Sequence, residues 1–168
     1  WPRRRSWPRS RQSGSPGGQR HRPSPPAGSS AWPGTSWPTV RYFVGDLDAA
    51  IEFYCQRLGF EEELRSAPAF AMLYGGGLRL LLSVPGLPGA GRALPDGTVP
   101  AAGGSNRITL QVTDVTAAVA ELRTAGVRIR ADVSAGVAVR QALIEDPAGN
   151  LVELFEPTAG YHERPSPP

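Results

Sequence analysis

Between Thr39 and Pro157 the chain has no histidine and one cysteine, so any chemistry there falls to carboxylates, arginines and aromatic rings. Zinc and iron sites draw on His, Cys and carboxylates, usually three or more from the protein. The two histidines, His21 and His162, lie outside this stretch. Glu145, Asp146 and Glu153 could make an oxygen-rich site. Asp146, however, opens an Asp-Pro-x-Gly turn, where capping the hairpin is the competing role. Cys55 can form neither an intrachain disulfide nor a thiolate metal site, and no His stands by to activate it as a nucleophile. Arg107 is a permanent cation with no lone pair to offer. It is expected to pair with Glu153, either to stabilise the interior or to hold a ligand's polar group. Removing one member of a buried pair costs roughly 3–5 kcal/mol.

These residues must be placed by strands. Thr39-Val-Arg-Tyr-Phe-Val-Gly45 is rich in β-formers and reads as a strand. Asp46 suits a helix N-cap, Leu47 to Leu58 puts Leu47, Ala50, Ile51, Tyr54 and Leu58 on one helical face, and Gly59 suits the stop. Strands are predicted at Phe60–Arg65, Ala69–Tyr74 and Leu78–Val84. The order then repeats: a strand over Asn106–Thr113, Asp114 as cap, a helix over Val115–Ala125, Gly126 as stop, and strands at Val127–Ala131, Val137–Glu145 and Leu151–Glu156. Residues Pro85 to Ser105 form a long Gly/Pro/Ala crossing between the halves, or a lid. An internal repeat of this size is the main architectural signal.

Strand alternation sorts the side chains. Val40/Tyr42/Val44, Leu80/Leu82, Ile108/Leu110/Val112 and Val152/Leu154 should pack on the helices. The other faces carry Thr39, Arg41 and Phe43; Arg79, Leu81 and Ser83; Arg107, Thr109 and Gln111; and Leu151, Glu153 and Phe155. They should line a cavity. Phe70, Met72 and Tyr74 are either ligand contacts or strand packing, and Glu61-Glu62-Glu63 reads as a solvated strand edge.

Composition separates this domain from what precedes it. Residues 1–38 hold seven Arg, no acid, eight Pro, eight Ser and all four Trp, whereas the remainder carries 11 Arg and all 15 acids. A packed core cannot be built from residues 1–38, and they are expected to be disordered. Starting with Trp, they are read as a non-native extension; the alternative is a basic aromatic arm for nucleic acid or membrane. The high pI belongs to this tail, so no nucleic-acid role is expected of the folded part. Neither an 18-residue apolar run nor a secretory h-region is present, so no membrane span and a cytoplasmic location are expected. Abundant Arg, Ala, Gly and Pro without Lys suit a GC-rich, bacterial coding sequence.

Val44-Gly-Asp-Leu47, Phe53-Tyr54 and Leu58-Gly-Phe60 resemble the opening of a vicinal-oxygen-chelate module, the glyoxalase/bleomycin-resistance/dioxygenase superfamily. Asp146-Pro-Ala-Gly-Asn-Leu-Val-Glu-Leu154 resembles the closing hairpin of a second module. The resemblance covers about Thr39 to Pro157. It implies an α+β fold of two tandem βαβββ modules, 39–84 and 106–157, joined by a linker 85–105 and followed by a tail 158–168. Their curved, partly open sheet should surround a cavity. It also implies a frequent divalent-metal site with one ligand from each of four strands, at positions held here by Thr39, Leu81, Arg107 and Glu153. Of these only Glu153 is a good ligand.

The expected function is therefore metal-free, cofactor-free binding of a small organic molecule by a homodimer. The expected contacts are Thr39, Arg41, Phe43, Phe70, Met72, Arg79, Leu81, Arg107, Thr109, Gln111, Glu153 and Phe155. The alternative is a lyase, isomerase or dioxygenase using Glu153 as a catalytic base or lone metal ligand. A third class is a structural or partner-binding module.

Overall fold

The computed structural model describes residues 38–159 and Tyr161. The expected disorder of residues 1–38 and the C-terminal tail beyond Tyr161 fall outside them, apart from Pro38.

Each half begins with a strand, turns at a capped helix, and returns through three strands. In the first half these are β1 (Thr39–Phe43), α1 (Leu47–Arg57), β2 (Glu61–Ser66), β3 (Phe70–Gly75) and β4 (Leu78–Ser83). In the second they are β5 (Arg107–Gln111), α2 (Val115–Thr124), β6 (Arg128–Ala135), β7 (Val139–Glu145) and β8 (Leu151–Pro157). Both caps work as the sequence implies: Asp46 accepts from the Ala49 amide at 3.0 Å and Asp114 from the Ala117 amide at 2.9 Å. Such caps are each worth about 1 kcal/mol. Gly59 and Gly126 follow the helices at φ 73° and 79°, a conformation that costs glycine nothing.

Two four-stranded sheets result, ordered β1-β4-β3-β2 and β5-β8-β7-β6, and neither closes. Each module contributes one of the two open sheets, in keeping with the tandem-module fold that the resemblance implies. The β1–β4 and β5–β8 pairs are parallel, as the helical crossovers require, and the remaining pairs are antiparallel. Tyr42, Leu73, Leu80 and Leu82 in the first sheet, with Ile108, Ala142, Ile144, Val152 and Leu154 in the second, form one buried core with the helices. Burying each large side chain stabilises the fold by roughly 1.5–3 kcal/mol.

Some boundaries differ from expectation. β6 runs on to Ala135 instead of stopping at Ala131, with register shifts at Ile129/Ala131 and Ala131/Ser134. Val137, expected in β7, is instead 97% exposed in the connecting turn, next to Ala138 at φ 58°. Residues 85–105 are pinned by tight turns, with Gly86 N–H donating to Gly91 O at 2.7 Å and Leu94 N–H to Thr98 O at 2.8 Å.

Candidate functional site

The register fixes which side chains share the helix-free face of each sheet. On the first, Phe43, Ser83, Phe70 and Ser66 form one row across the strands, and Arg41, Leu81, Met72 and Leu64 form the next. A third row is Thr39, Arg79, Tyr74 and Glu61. Phe43, Phe70, Met72 and Leu81 are half-buried, and Leu64 is 51% exposed. Because α1 packs its buried residues on the opposite face, no helix among the described residues covers this one. Arg79 forks onto Glu63 at 3.2 and 3.3 Å. Arg41 donates to the Ser83 hydroxyl and lies 5.9 Å from the centre of the Phe70 ring.

On the second sheet the rows are Thr109–Glu153–Leu143–Ala131 and Gln111–Phe155–Gln141–Ser134. The expected pair is present: Arg107 Nε lies 2.8 Å from Glu153 Oε2. Their side chains keep 40% and 16% of their exposure, so the pair sits at the rim of the face and not in a sealed interior. Tyr161 leans on Phe155 with ring centres 5.8 Å apart. Glu145 is buried and held by Arg128 at 3.1 Å and Arg130 at 3.5 Å.

The expected contacts thus divide into two groups. Thr39, Arg41, Phe43, Phe70, Met72, Arg79 and Leu81 share the first face; Arg107, Thr109, Gln111, Glu153 and Phe155 share the second. Alternation alone missed Leu64 and, across strands, Leu143 and Gln141. A bulge at Glu62/Leu64 switches the parity of β2, and pairing partners on β7 cannot be read from one strand.

A groove of about 670 Å³ lies elsewhere, between α1, the α2–β6 junction and the β7–β8 turn. None of the expected contacts lines it; its walls include Glu52, Phe53, Arg57, Arg128 and Glu145. Beside it the two halves are tied together by buried polar groups. The Asp146 carboxylate accepts from Tyr54 OH at 3.0 Å, Asn150 Nδ2 at 2.8 Å, and the Ala148 and Asn150 amides at 2.9 and 2.8 Å. Asn150 also donates to Phe43 O at 2.9 Å and accepts from the Gly103 amide at 2.8 Å. Asp146 is therefore committed to the hairpin turn and to α1. Burial, reinforced by the Asp146 charge, pushes the Tyr54 phenol far above its ordinary value. Burial also raises Tyr42, which receives the Ile108 amide at 2.7 Å and donates to Leu151 O at 2.9 Å. The Cys55 thiol is raised by burial, then by Glu62, which makes it a poor nucleophile.

The sequence profile of the Glyoxalase/Bleomycin resistance protein/Dioxygenase superfamily matches residues 37–154. The chain belongs to this superfamily. Solved structures agree with the fold. The lactoylglutathione lyase from Agrobacterium tumefaciens is 23% identical, with 74% of this chain and 96% of that one covered and a TM-score of 0.59. TnmS3, an antibiotic binding protein from Streptomyces sp. CB03234, is 25% identical, with 74% and 97% covered and a TM-score of 0.55. TioX from Micromonospora sp. ML1 is 26% identical, with 72% and 98% covered and a TM-score of 0.55. Among curated proteins, none matches the sequence.

Members of the superfamily often hold a divalent metal, whose ligands the resemblance would put at Thr39, Leu81, Arg107 and Glu153. Leu81 has no donor atom, and Arg107 places a guanidinium where a ligand belongs and occupies Glu153. No group of three His, Cys, Asp or Glu is gathered among the described residues. No helix among them is long and apolar enough to cross a membrane.

Proposed function

We propose that this superfamily member binds a small organic molecule without a metal or other cofactor, as a cytoplasmic homodimer in which a second copy covers the bare sheet faces. The observation that carries this reading is the first face. Phe43, Phe70, Met72 and Leu81 present rings, a thioether and a branched chain, with no helix over them among the described residues. Apolar walls with a few placed polar groups are the usual make-up of a small-molecule site. The antibiotic binding protein TnmS3 supports the reading as a relative in fold. No nucleic-acid or membrane partner is proposed for the domain.

A thermal-shift panel of small acids, neutral aromatics and cationic drugs tests it. A ligand at a hundred times its dissociation constant stabilises by about 2.7 kcal/mol. A panel that leaves the melting temperature unmoved counts against binding. Elemental analysis after dialysis tests the metal-free clause: a retained equivalent of Zn, Fe, Mn or Ni overturns it. Enzymatic use of Glu153 as a base has the Arg107 contact against it, since Oε2 is already held.

A further inference from the structure

We infer that the ligand of the first sheet face is a planar aromatic acid, whose carboxylate is taken by Arg41 and whose ring lies on the Phe43–Phe70–Met72 wall. The inference rests on the binding reading above and names the ligand's chemistry.

The other arginines on the two bare faces are already answered. Arg79 is paired with Glu63 and Arg107 with Glu153. Arg41 has no carboxylate within ion-pair distance among the described residues; its contacts are a hydroxyl and a ring. The acids on its face, Glu61 and Glu63, lie on β2, which is separated from β1 by β4 and β3. A guanidinium offers five donors in a fork that matches a carboxylate. Ser83, 1% exposed, anchors one end of the fork from below. The cation is thereby oriented before a ligand arrives, which lowers the ordering cost of binding.

The surroundings choose the rest of the ligand. Phe43 and Phe70 flank Ser83 in the row beside Arg41, while Leu81 and Met72 continue Arg41's own row. An acid on a flat ring could meet the fork with its charge and the rings with its face, gaining stacking and thioether contact together. A cationic ligand would meet Arg41 with like charge. A neutral one would leave the fork without the charge-assisted bond it is shaped to make.

The test uses the full chain and three isosteric probes: 2-naphthoate, 2-naphthamide and 2-naphthylmethylammonium, titrated by calorimetry or ligand-observed NMR. Naphthoate is expected to bind about tenfold to a hundredfold more tightly than naphthamide, the range for a hydrogen bond to a charged group. Arg41→Gln should erase that preference, chiefly by weakening naphthoate. Arg123→Gln, on α2 and already paired with Asp132, should keep it. Arg41→Lys, with charge but no fork, should keep only part. Equal binding of naphthoate and naphthamide, or a preference that survives Arg41→Gln, overturns the assignment and leaves the binding reading standing. If none of the three binds while the wider panel yields ligands, the assignment alone fails. If nothing binds, both fail.

Discussion

Replacing Asp146 with Asn changes one atom at the junction of the two halves and should cost more than most surface mutations of the whole domain. Asp146 is 5% exposed, and its carboxylate accepts four hydrogen bonds. Oδ1 takes two backbone amides and Oδ2 takes Tyr54 OH and Asn150 Nδ2. An amide must put its NH₂ on one side. Placing it at the Oδ2 position preserves the turn, and Tyr54 can rotate its proton to accept. Asn150 Nδ2 then faces another donor, although its bond to Phe43 O survives. One charge-assisted bond is lost and one conflict is made, for a total of about 2–3 kcal/mol. For a folded region of this size about 4 °C of melting temperature accompanies each kcal/mol, so Asp146→Asn should melt about 8–12 °C lower. Tyr54→Phe removes a single bond to the same carboxylate and should lose about 1–2 kcal/mol. Because the two share a contact, the double variant should lose less than the sum. Circular dichroism melts of the four proteins complete the cycle. A drop below about 2 °C for Asp146→Asn, or strict additivity with Tyr54→Phe, refutes the view that this carboxylate joins the halves.

Further outcomes follow from the same geometry. Tyr42 and Tyr54 stay protonated in the fold above the pH at which an unfolded tyrosine ionises, so the unfolded chain binds fewer protons there. Stability should therefore be insensitive to them below about pH 10 and should fall above it, by up to about 1.4 kcal/mol per pH unit for each. Urea titrations from pH 9 to 12 should show a shallower decline in Tyr54→Phe. A methyl group on Gly91 would meet Val84 O at 2.0 Å, so Gly91→Ala must displace the start of the 85–105 crossing; a loss of roughly 1–3 kcal/mol is expected in denaturant melts. Cys55, raised by burial, should react with iodoacetamide at pH 8 more slowly than a free thiol, and denaturant should abolish the difference.

The parts of this molecule that local chemistry controls were legible in the sequence. The caps Asp46 and Asp114, the stops Gly59 and Gly126, and the helical faces follow from neighbours within one turn. So did the alternation of β1, β4, β5 and β8, whereas the Arg107–Glu153 pair was expected because a carboxylate in the interior needs a partner. The register shifts in β2 and β6 were hidden, because inserting a residue changes parity without leaving a composition signal. The ties made by Tyr54, Asp146 and Asn150 join positions 92 or 107 residues apart, and each residue had a simpler local role. The cavity expected between the modules came from family likeness, and no strand pattern pointed to the groove of about 670 Å³ among the helix and hairpin residues.

Tyr42 carries a consequence for the history of the repeat. From the edge strand of the first sheet its hydroxyl answers both an amide of β5 and a carbonyl of β8. The repeat-related position in the second half is Leu110, which can answer neither. The copies have therefore ceased to be interchangeable. A chain built from two second halves would leave the Ile108 amide without this acceptor, and one built from two first halves would have no Asp146 to receive Tyr54. What began as a duplicated unit now behaves as a plug and its socket, so drift in one half constrains the other even though each retains its own sheet.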